Sequence, residues 1–556
     1  MENMINSIRL VARRNTSRAL WSGLMVIAMV AMFAASASAA SWTSAGNGAT
    51  DDRYQPDETT INTSNVGQLK TKWVFTTHGD VSATPTVSDG VVYFPDWGGY
   101  INAVDASTGK LIWQETVQSL EPANAPAGAF SRVSPVLDGN ELIFGDNFSA
   151  EHASGAHLFA VNKNTGALLW STQLDSHPAA IVTGSPVIVA GKLLIGTSSD
   201  EETYAENASY PCCTFRGSLS ELDPATGAVI WKTYTVPSNG GVPCTSDSPP
   251  TGCGYSGGAV WDTPAVSVAN NAVYIGTGNN YTTPDSASAC EQAAFAAGTS
   301  DANCTSPDDH FDSVMALNFT TGAIIWSQRE EDWDAWTIGC VDGTEGVNWC
   351  PDPEGPDWDF GSGPNLVTVP TAGGGSELEV GAGQKSGLYW MYDALTGKEL
   401  WSADLGPGSP LGGEAWGTAS DGTRIYVHES DAYHAPYTLP DGTHLEGGSW
   451  AALDPVTGAI DWQVPTPWGA AALGPQSVAN GVVYTGSTNP FKRLSNMFAL
   501  SAATGRILWR FPSGGSVNSG PAIVDGTVYW GSGYSEGRII GYTGNDKLYA
   551  FSLGGT

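Results

Sequence analysis

Charge is scarce in this 556-residue chain, and positive charge scarcest. Only 14% of residues are Asp, Glu, Lys or Arg, and 23 basic residues face 56 acidic ones, a net charge of −33. So acidic a chain does not seek phosphate backbones or anionic lipid, which argues against nucleic-acid and membrane-surface partners. It suits a neutral or cationic partner, and sites where acids hold a metal. No Gly-x-x-x-x-Gly-Lys phosphate loop, no closely spaced His/Cys set of the zinc type and no Cys-x-x-Cys-His haem site occurs, so nucleotide, zinc and covalent-haem chemistry lack their sequence signatures.

The apolar runs are short as well, except near the start. Arg9, Arg13, Arg14 and Arg18 lead into a mostly apolar stretch from Ala19 to Ala35, followed by Ala37-Ser38-Ala39. Residues 1–40 therefore read as a signal peptide with a small-residue cleavage site, the alternative being an uncleaved anchor. The twin Arg13-Arg14 is not followed by the apolar residues of a folded-export signal, so unfolded export is expected. Residues 1–40 carry four Arg and one Glu, which leaves residues 41–556 near −36. The expectation is an exported domain over 41–556, periplasmic or secreted, with no membrane span after cleavage. The eight cysteines fit that compartment. Nearest-neighbour pairing gives 212–213, 244–253, 290–304 and 340–350, the last three stapling Gly/Pro/Asp-rich loops. Adjacent cysteines rarely bond to each other, because the eight-membered ring strains the peptide between them. Cys212 and Cys213 bound to different partners is the other reading, since spacing does not decide connectivity.

What the chain has in plenty is glycine, 68 residues, and tryptophan, 21. They recur in order. Asp105-Ala106-Ser107-Thr108-Gly109-Lys110-Leu111-Ile112-Trp113 returns in copies ending at Trp170, Trp231, Trp326, Trp401, Trp462 and Trp509, with a degenerate opening copy at Trp73. The pattern is Asp/Asn/Ser, two variable residues, Thr-Gly, three residues, Trp. A strand ends at the acid, Thr-Gly makes a tight turn in which Gly takes positive φ, and a second strand ends in a large ring. Further strands such as Val91-Val92-Tyr93-Phe94 lie between copies. Each unit is a small antiparallel sheet that must stack to bury both faces, which predicts an all-β, eight-bladed β-propeller with Trp-ended blade repeats and disulfide-stapled loop insertions. Leu548–Ser552, a strand with no turn after it, is expected to complete the blade begun near Trp73. The longest spacings, Trp231 to Trp326 and Trp326 to Trp401, hold Trp333, Trp336, Trp349 and Trp358 among acids, and insertions of this kind commonly build a binding face.

Four stretches carry candidate chemistry: Ser198-Ser199-Asp200-Glu201-Glu202, Val260-Trp261-Asp262-Thr263-Pro264 with Gly276-Thr277-Gly278-Asn279-Asn280, Asp357-Trp358-Asp359-Phe360, and Gly383-Gln384-Lys385-Ser386-Gly387. Carboxylates and an amide oxygen together suit a hard cation such as Ca²⁺. Read singly, each stretch is more readily a turn or a solvated acid than a ligand.

Taken together, the Trp-ended repeats, the vicinal cysteines and these stretches resemble the quinoprotein alcohol dehydrogenases, which use pyrroloquinoline quinone (PQQ) and a metal. The wording of Tyr210–Gly217 looks most like the polyvinyl alcohol dehydrogenase branch. The resemblance implies that Trp261 stacks on one face of the quinone and a Cys212–Cys213 disulfide covers the other. It implies Ca²⁺ held by Glu201 or Glu202 with Asn279, and Asp359 as catalytic base that also touches the metal. Lys385 takes the place of the cation that contacts the quinone oxygens, and Arg216 would pair with a cofactor carboxylate. Lanthanide-using members carry a second Asp two residues after the base; Gly361 stands there, which favours Ca²⁺. The implied reaction oxidises an alcohol, secondary and polymeric in the polyvinyl alcohol branch, to a ketone or aldehyde. With no haem motif, electrons would leave to a separate acceptor such as cytochrome c. The alternatives are a non-enzymatic envelope propeller that binds proteins and, from the aromatic and acidic loops alone, a polysaccharide-binding or hydrolytic propeller.

Overall fold

The structure, a computed structural model, describes residues 40–123, 125–148, 154–207, 209–245, 250–341, 349–371, 373–535 and 542–555. The leader expected over residues 1–40 lies, but for residue 40, outside the described residues. Among them no helix is long and apolar enough to cross a membrane.

Eight sheets, each with four antiparallel blade strands, form the ring, as the repeat count predicts; two carry a fifth strand, Tyr54–Gln55 and Ala180–Ile181, the first of them parallel. Blade 1 is Thr86–Ser88, Val91–Asp96, Tyr100–Asp105 and Leu111–Thr116, and blades 2 to 7 repeat this order. Blade 8 takes three strands from the end of the chain and its outer strand, Lys70–Thr76, from the beginning. There Trp73 pairs with Ala550 across the Lys547–Ser552 strand. The ring is thus closed by the strand expected to close it, so the two ends of the chain share backbone hydrogen bonds within one blade.

The repeat motif explains itself in three dimensions. Asp105 Oδ1 accepts from the backbone N–H groups of Ser107 and Thr108 and from the Thr108 hydroxyl, which winds the turn. Gly109 closes it at φ 68°. The indole of Trp73 lies flat against that glycine: an added Cβ would sit 2.6 Å from Trp73 Cδ2. Trp73 Nε1 then donates to Ala106 O at 3.0 Å. Trp113, Trp170, Trp326, Trp401 and Trp462 make the same bond to the residue after the turn's first position in the following blade. Only a residue that tolerates positive φ and lacks a side chain fits beneath the ring, so Gly and Trp recur together. Trp231 departs, donating to Glu221 of its own blade, and Trp509 donates to Leu69 O of the degenerate copy.

The inner strands are stitched from within. The segment from Trp42 to Gln55 runs around the axis and bonds to the innermost strand of seven blades, at Val87, Leu137, Val266, Leu366, Ser420, Val478 and Ile523. Arg53, 2% exposed, donates to Gln476 O, Ala45 O and Thr84 Oγ1. This segment fills one end of the axial channel and leaves the other open.

All four nearest-neighbour disulfides form, Cys212–Cys213 included. The long insertion after Trp231 carries a helix, Asp285–Ala296, held by Cys290–Cys304. Trp333, Trp336 and Trp349, expected on a binding face, are buried instead.

Candidate active site

In each blade the first and second strands are antiparallel, so the entry to the first and the exit of the second lie at the same end. Three candidate stretches follow a second strand: Glu202 after Lys192–Ser199, Asn279 after Ala272–Gly276 and Lys385 after Ser376–Gly383. Two precede a first strand: Trp261 before Ala265–Ser267 and Asp359 before Asn365–Pro370. Blades 3, 4 and 5 thereby deliver all five to the open end of the axis. A cavity of about 1280 Å³ opens there, lined by Trp261, Asp359, Lys385 and Glu202 among others.

Asp359 is the centre of the contacts. Its Oδ1 accepts from the Asn279 N–H at 2.8 Å and its Oδ2 from Trp261 Nε1 at 2.9 Å. Lys385 Nζ stands 3.2 Å from the same Oδ2 and 2.8 Å from Asp357 Oδ1. Gly278 permits this approach, since an added Cβ would lie 2.9 Å from Asp359 Oδ2. The Asn279 side-chain nitrogen donates to Asn280 O and Trp336 O, which turns its amide oxygen the other way, free of those bonds. Burial opposes the charge on Lys385, but Asp357, Asp359 and Glu202 together outweigh it and hold the ammonium well above its ordinary pKa. Burial pushes the Glu202 carboxyl up to about 8; Lys385 offsets part of this, while Asp359, Asp334 and Asp200 add to it. Acids thus outnumber Lys385 around this point. Two carboxylates and an amide oxygen around such a deficit are a donor set that fits Ca²⁺.

The paired glutamates separate cleanly. Glu201 is fully buried and turned away: its oxygens accept from the N–H groups of Thr214 and Phe215 and from the Tyr210 hydroxyl. It anchors the Tyr210–Phe215 loop, and Glu202 is the one that faces the cavity.

Three more expected site residues, Cys212, Cys213 and Arg216, are not brought to the cavity, and Asn279, 1% exposed, stands behind its wall. Cys212 and Cys213 are both 0% exposed, packed in a core cluster with Phe215, Tyr281 and Trp349. The cavity wall on that side is Tyr281 and Ala259, so the disulfide forms but covers no open face. Arg216 points outward, because Nε and Nη2 both donate to Val236 O and its guanidinium stacks 4.0 Å over Tyr234. A different arginine is in the cavity. Arg132 lies 4.5 Å over the Trp416 ring and donates to the Tyr534 hydroxyl at 3.1 Å. Trp416 meets Trp261 edge-on at 4.9 Å.

Sequence reasoning also passed over Asp357 and Asp334. Asp357 lies within a flagged stretch, two positions before Asp359, and holds Lys385. Asp334 accepts from the N–H groups of Asp357 and Trp358 and so sets the loop that carries Asp359. Nothing in the sequence marks Arg132 or Trp416.

The family profile described as "Glucose/ethanol/alcohol dehydrogenase, beta-propeller domain" matches residues 42–340, and one described as "Outer membrane protein assembly factor BamB" matches residues 446–552. A polyvinylalcohol dehydrogenase of Sphingopyxis sp. is 31% identical over 529 residues, covering 89% of this chain and 74% of its own length. One of Pseudomonas sp. is 30% identical over 551 residues, covering 92% and 77%. Among solved structures, a quinohemoprotein alcohol dehydrogenase of Pseudomonas putida superposes with a TM-score of 0.67 at 21% identity, over 93% of this chain and 80% of that one, a likeness of fold.

Proposed function

The chain belongs to the PQQ-dependent quinoprotein alcohol dehydrogenases, and from that footing we propose that it oxidises a secondary alcohol of a polyvinyl-alcohol-like polymer to the ketone, using PQQ and Ca²⁺. The observation that carries this reading is the convergence of Trp261 Nε1, the Asn279 N–H and Lys385 Nζ on the one carboxylate of Asp359 at the cavity wall.

PQQ, when bound, supplies the hydride acceptor that no side chain offers, and Ca²⁺ the Lewis acidity beside it. The chain's own residues do the rest. Asp359 takes the proton of the alcohol hydroxyl, held in place by its three donors. Trp261 gives a flat apolar floor, fixed at its edge by Trp416. Lys385 keeps a permanent positive charge next to the base, and Asp357 keeps Lys385 in position. Arg132, rather than Arg216, is the cation suited to a cofactor carboxylate. Glu202, Asn279 and Asp359 would hold the metal, and Glu201, whose oxygens already accept from Tyr210, Thr214 and Phe215, would not. An aspartate at position 361 would have no space: a Cβ there would meet Glu414 O at 2.8 Å and Trp261 Cη2 at 3.0 Å. This supports Ca²⁺ over a lanthanide.

The cavity of about 1280 Å³ has room for PQQ together with a substrate, and the polymer is the substrate named for the relatives 31% and 30% identical to this chain. All eight cysteines are paired, so none in this chain is left for haem attachment; electrons leave to a separate acceptor such as cytochrome c. The four disulfides and the leader over residues 1–40 support export to the periplasm or beyond.

Dye-linked oxidation by the purified chain, with and without PQQ and Ca²⁺, tests the reading. Polyvinyl alcohol, a small secondary alcohol and a small primary alcohol are compared. Turnover that needs both additions and prefers the polymer is expected. Preference for the primary alcohol would overturn the substrate, and turnover without PQQ would overturn the mechanism.

A further inference from the structure

A second buried cluster of titratable groups lies away from the cavity residues described above. Glu121 follows the short helix Val117–Leu120, Asp146 follows strand Glu141–Gly145, and His157 stands on strand Ala156–Asn162. They are 8%, 0% and 3% exposed. His157 Nδ1 is 3.1 Å from Asp146 Oδ2 and 3.5 Å from Glu121 Oε2. One atom from each residue falls within 4.8 Å of the other two. Asp146 Oδ1 is occupied by the His157 backbone N–H at 2.7 Å. Neither oxygen of Glu121 accepts a hydrogen bond, although the side chain is more than nine-tenths buried and faces the imidazole.

This arrangement is incomplete as protein alone. Nδ1 carries at most one proton, and its shorter contact is to Asp146. Glu121 is then a buried carboxyl beside a second one, with the Ser154 hydroxyl among its neighbours but no hydrogen bond formed to either oxygen among the described residues. Buried groups of this kind are costly unless neutralised. Burial drives Glu121 up to about 8, with Asp146 adding to the shift, and Asp146 up to about 7. A divalent cation resolves every defect at once. It takes the Nδ1 lone pair and one oxygen from each carboxylate, and its two charges cancel theirs. Metal–ligand bonds of about 2.0–2.2 Å put tetrahedral ligands ~3.4 Å apart, close to the 3.1 and 3.5 Å found.

We propose that Glu121, Asp146 and His157 supply three ligands of a buried site for one Zn²⁺, distinct from the cofactor's metal. One imidazole and two carboxylates are ligands zinc accepts, a small oxygen ligand completes the tetrahedron, and burial of all three away from the cavity lining suits a structural rather than a catalytic ion. The site would brace the cavity. Asp146 O accepts from the Val182 N–H. The next residues, Asn147–Phe148, pair with Ala129–Phe130, and both phenylalanines line the cavity wall.

The test uses the purified chain, stripped with chelator and held in saturating Ca²⁺. Zn²⁺ is titrated against a chromophoric chelator, with bound zinc counted by elemental analysis and Tm recorded. One tightly held Zn²⁺ per chain and a raised Tm are expected. Glu121→Gln, which removes charge without removing a hydrogen bond, and His157→Gln should each weaken zinc binding at least 100-fold and abolish the Tm rise. No stoichiometric zinc in the wild type, or unchanged zinc binding in Glu121→Gln, overturns the site. If neither variant folds, Co²⁺ added to the stripped wild type decides: a strong visible band of tetrahedral Co²⁺ supports the site, and its absence overturns it.

Discussion

Trp326 at the rim and Trp261 on the axis use the same device. Each lies against a glycine, Gly397 in one case and Gly361 in the other, and each donates its indole N–H to an oxygen. At the rim the acceptor is the backbone carbonyl of Ala394 in a turn that recurs around the ring. On the axis it is the carboxylate of Asp359, shared with Lys385 and Asn279. A neutral acceptor repeated blade after blade secures a fold. A charged acceptor in a deep, acid-rich cavity becomes part of a site. The rim is redundant, so damage there should cost stability in portions; the axis is not, so damage there should cost function whole.

The sharpest contrast is expected from Asp359→Asn. The amide keeps an oxygen for only one of the two donors, Trp261 Nε1 or the Asn279 N–H, and cannot take a proton, so kcat of the loaded enzyme should fall about 10²–10⁴-fold while the loss of one hydrogen bond costs only about 1–3 kcal/mol of stability. Steady-state kinetics beside thermal unfolding check this, and a retained kcat would remove Asp359 as base. Next in size is Gly397→Val. At φ 70°, with Trp326 Cδ2 2.6 Å from the new Cβ, it should destabilise by about 2–4 kcal/mol through strain and overpacking, with kcat per folded molecule unchanged; denaturant unfolding reads it.

Trp326→Phe is gentler. It leaves the ring against Gly397 but loses the bond to Ala394 O, and about 1 kcal/mol of stability is expected to go with it. A matching loss of turnover would blur the line between rim and axis.

The smallest effect concerns pH. Burial, with Asp431 adding to it, holds Glu429 up at about 8, so between its unfolded value near 4.5 and 8 the folded chain binds a proton that the unfolded chain does not. Stability from this group therefore rises as pH falls from 8 toward 5 and is lost as pH rises through 8. Tm measured from pH 5 to 9 should slope accordingly, and Glu429→Gln should flatten part of the slope.

How far the sequence reaches follows the same division. The Asp-x-x-Thr-Gly-x-x-x-Trp pattern is local, because the turn, the positive φ and the following strand are set by neighbours within nine residues. Eight copies of it determine eight blades, and the unfinished strand near Trp73 with its complement at Leu548–Ser552 determines closure. Nearest-neighbour pairing of the cysteines anticipates the staples, which only the structure assigns. The stretches that reach the axis were also visible, because strand ends are marked by composition.

Which side chain faces the cavity was decided only by the tertiary structure. Glu201 and Glu202 are neighbours on one short helix, about 100° apart, and the loop that captures Glu201 comes from residues 210–215. Arg216 and Arg132 cannot be told apart by type; one finds Val236 and Tyr234, the other Trp416 and Tyr534. Cys212–Cys213 is conspicuous in the sequence and buried in the core. The zinc ligands have no motif spacing, since Glu121, Asp146 and His157 lie on separate elements. A repeat is written in local preference, which a sequence states directly. A site is a meeting of distant residues, and only the packing of one blade on the next makes them neighbours.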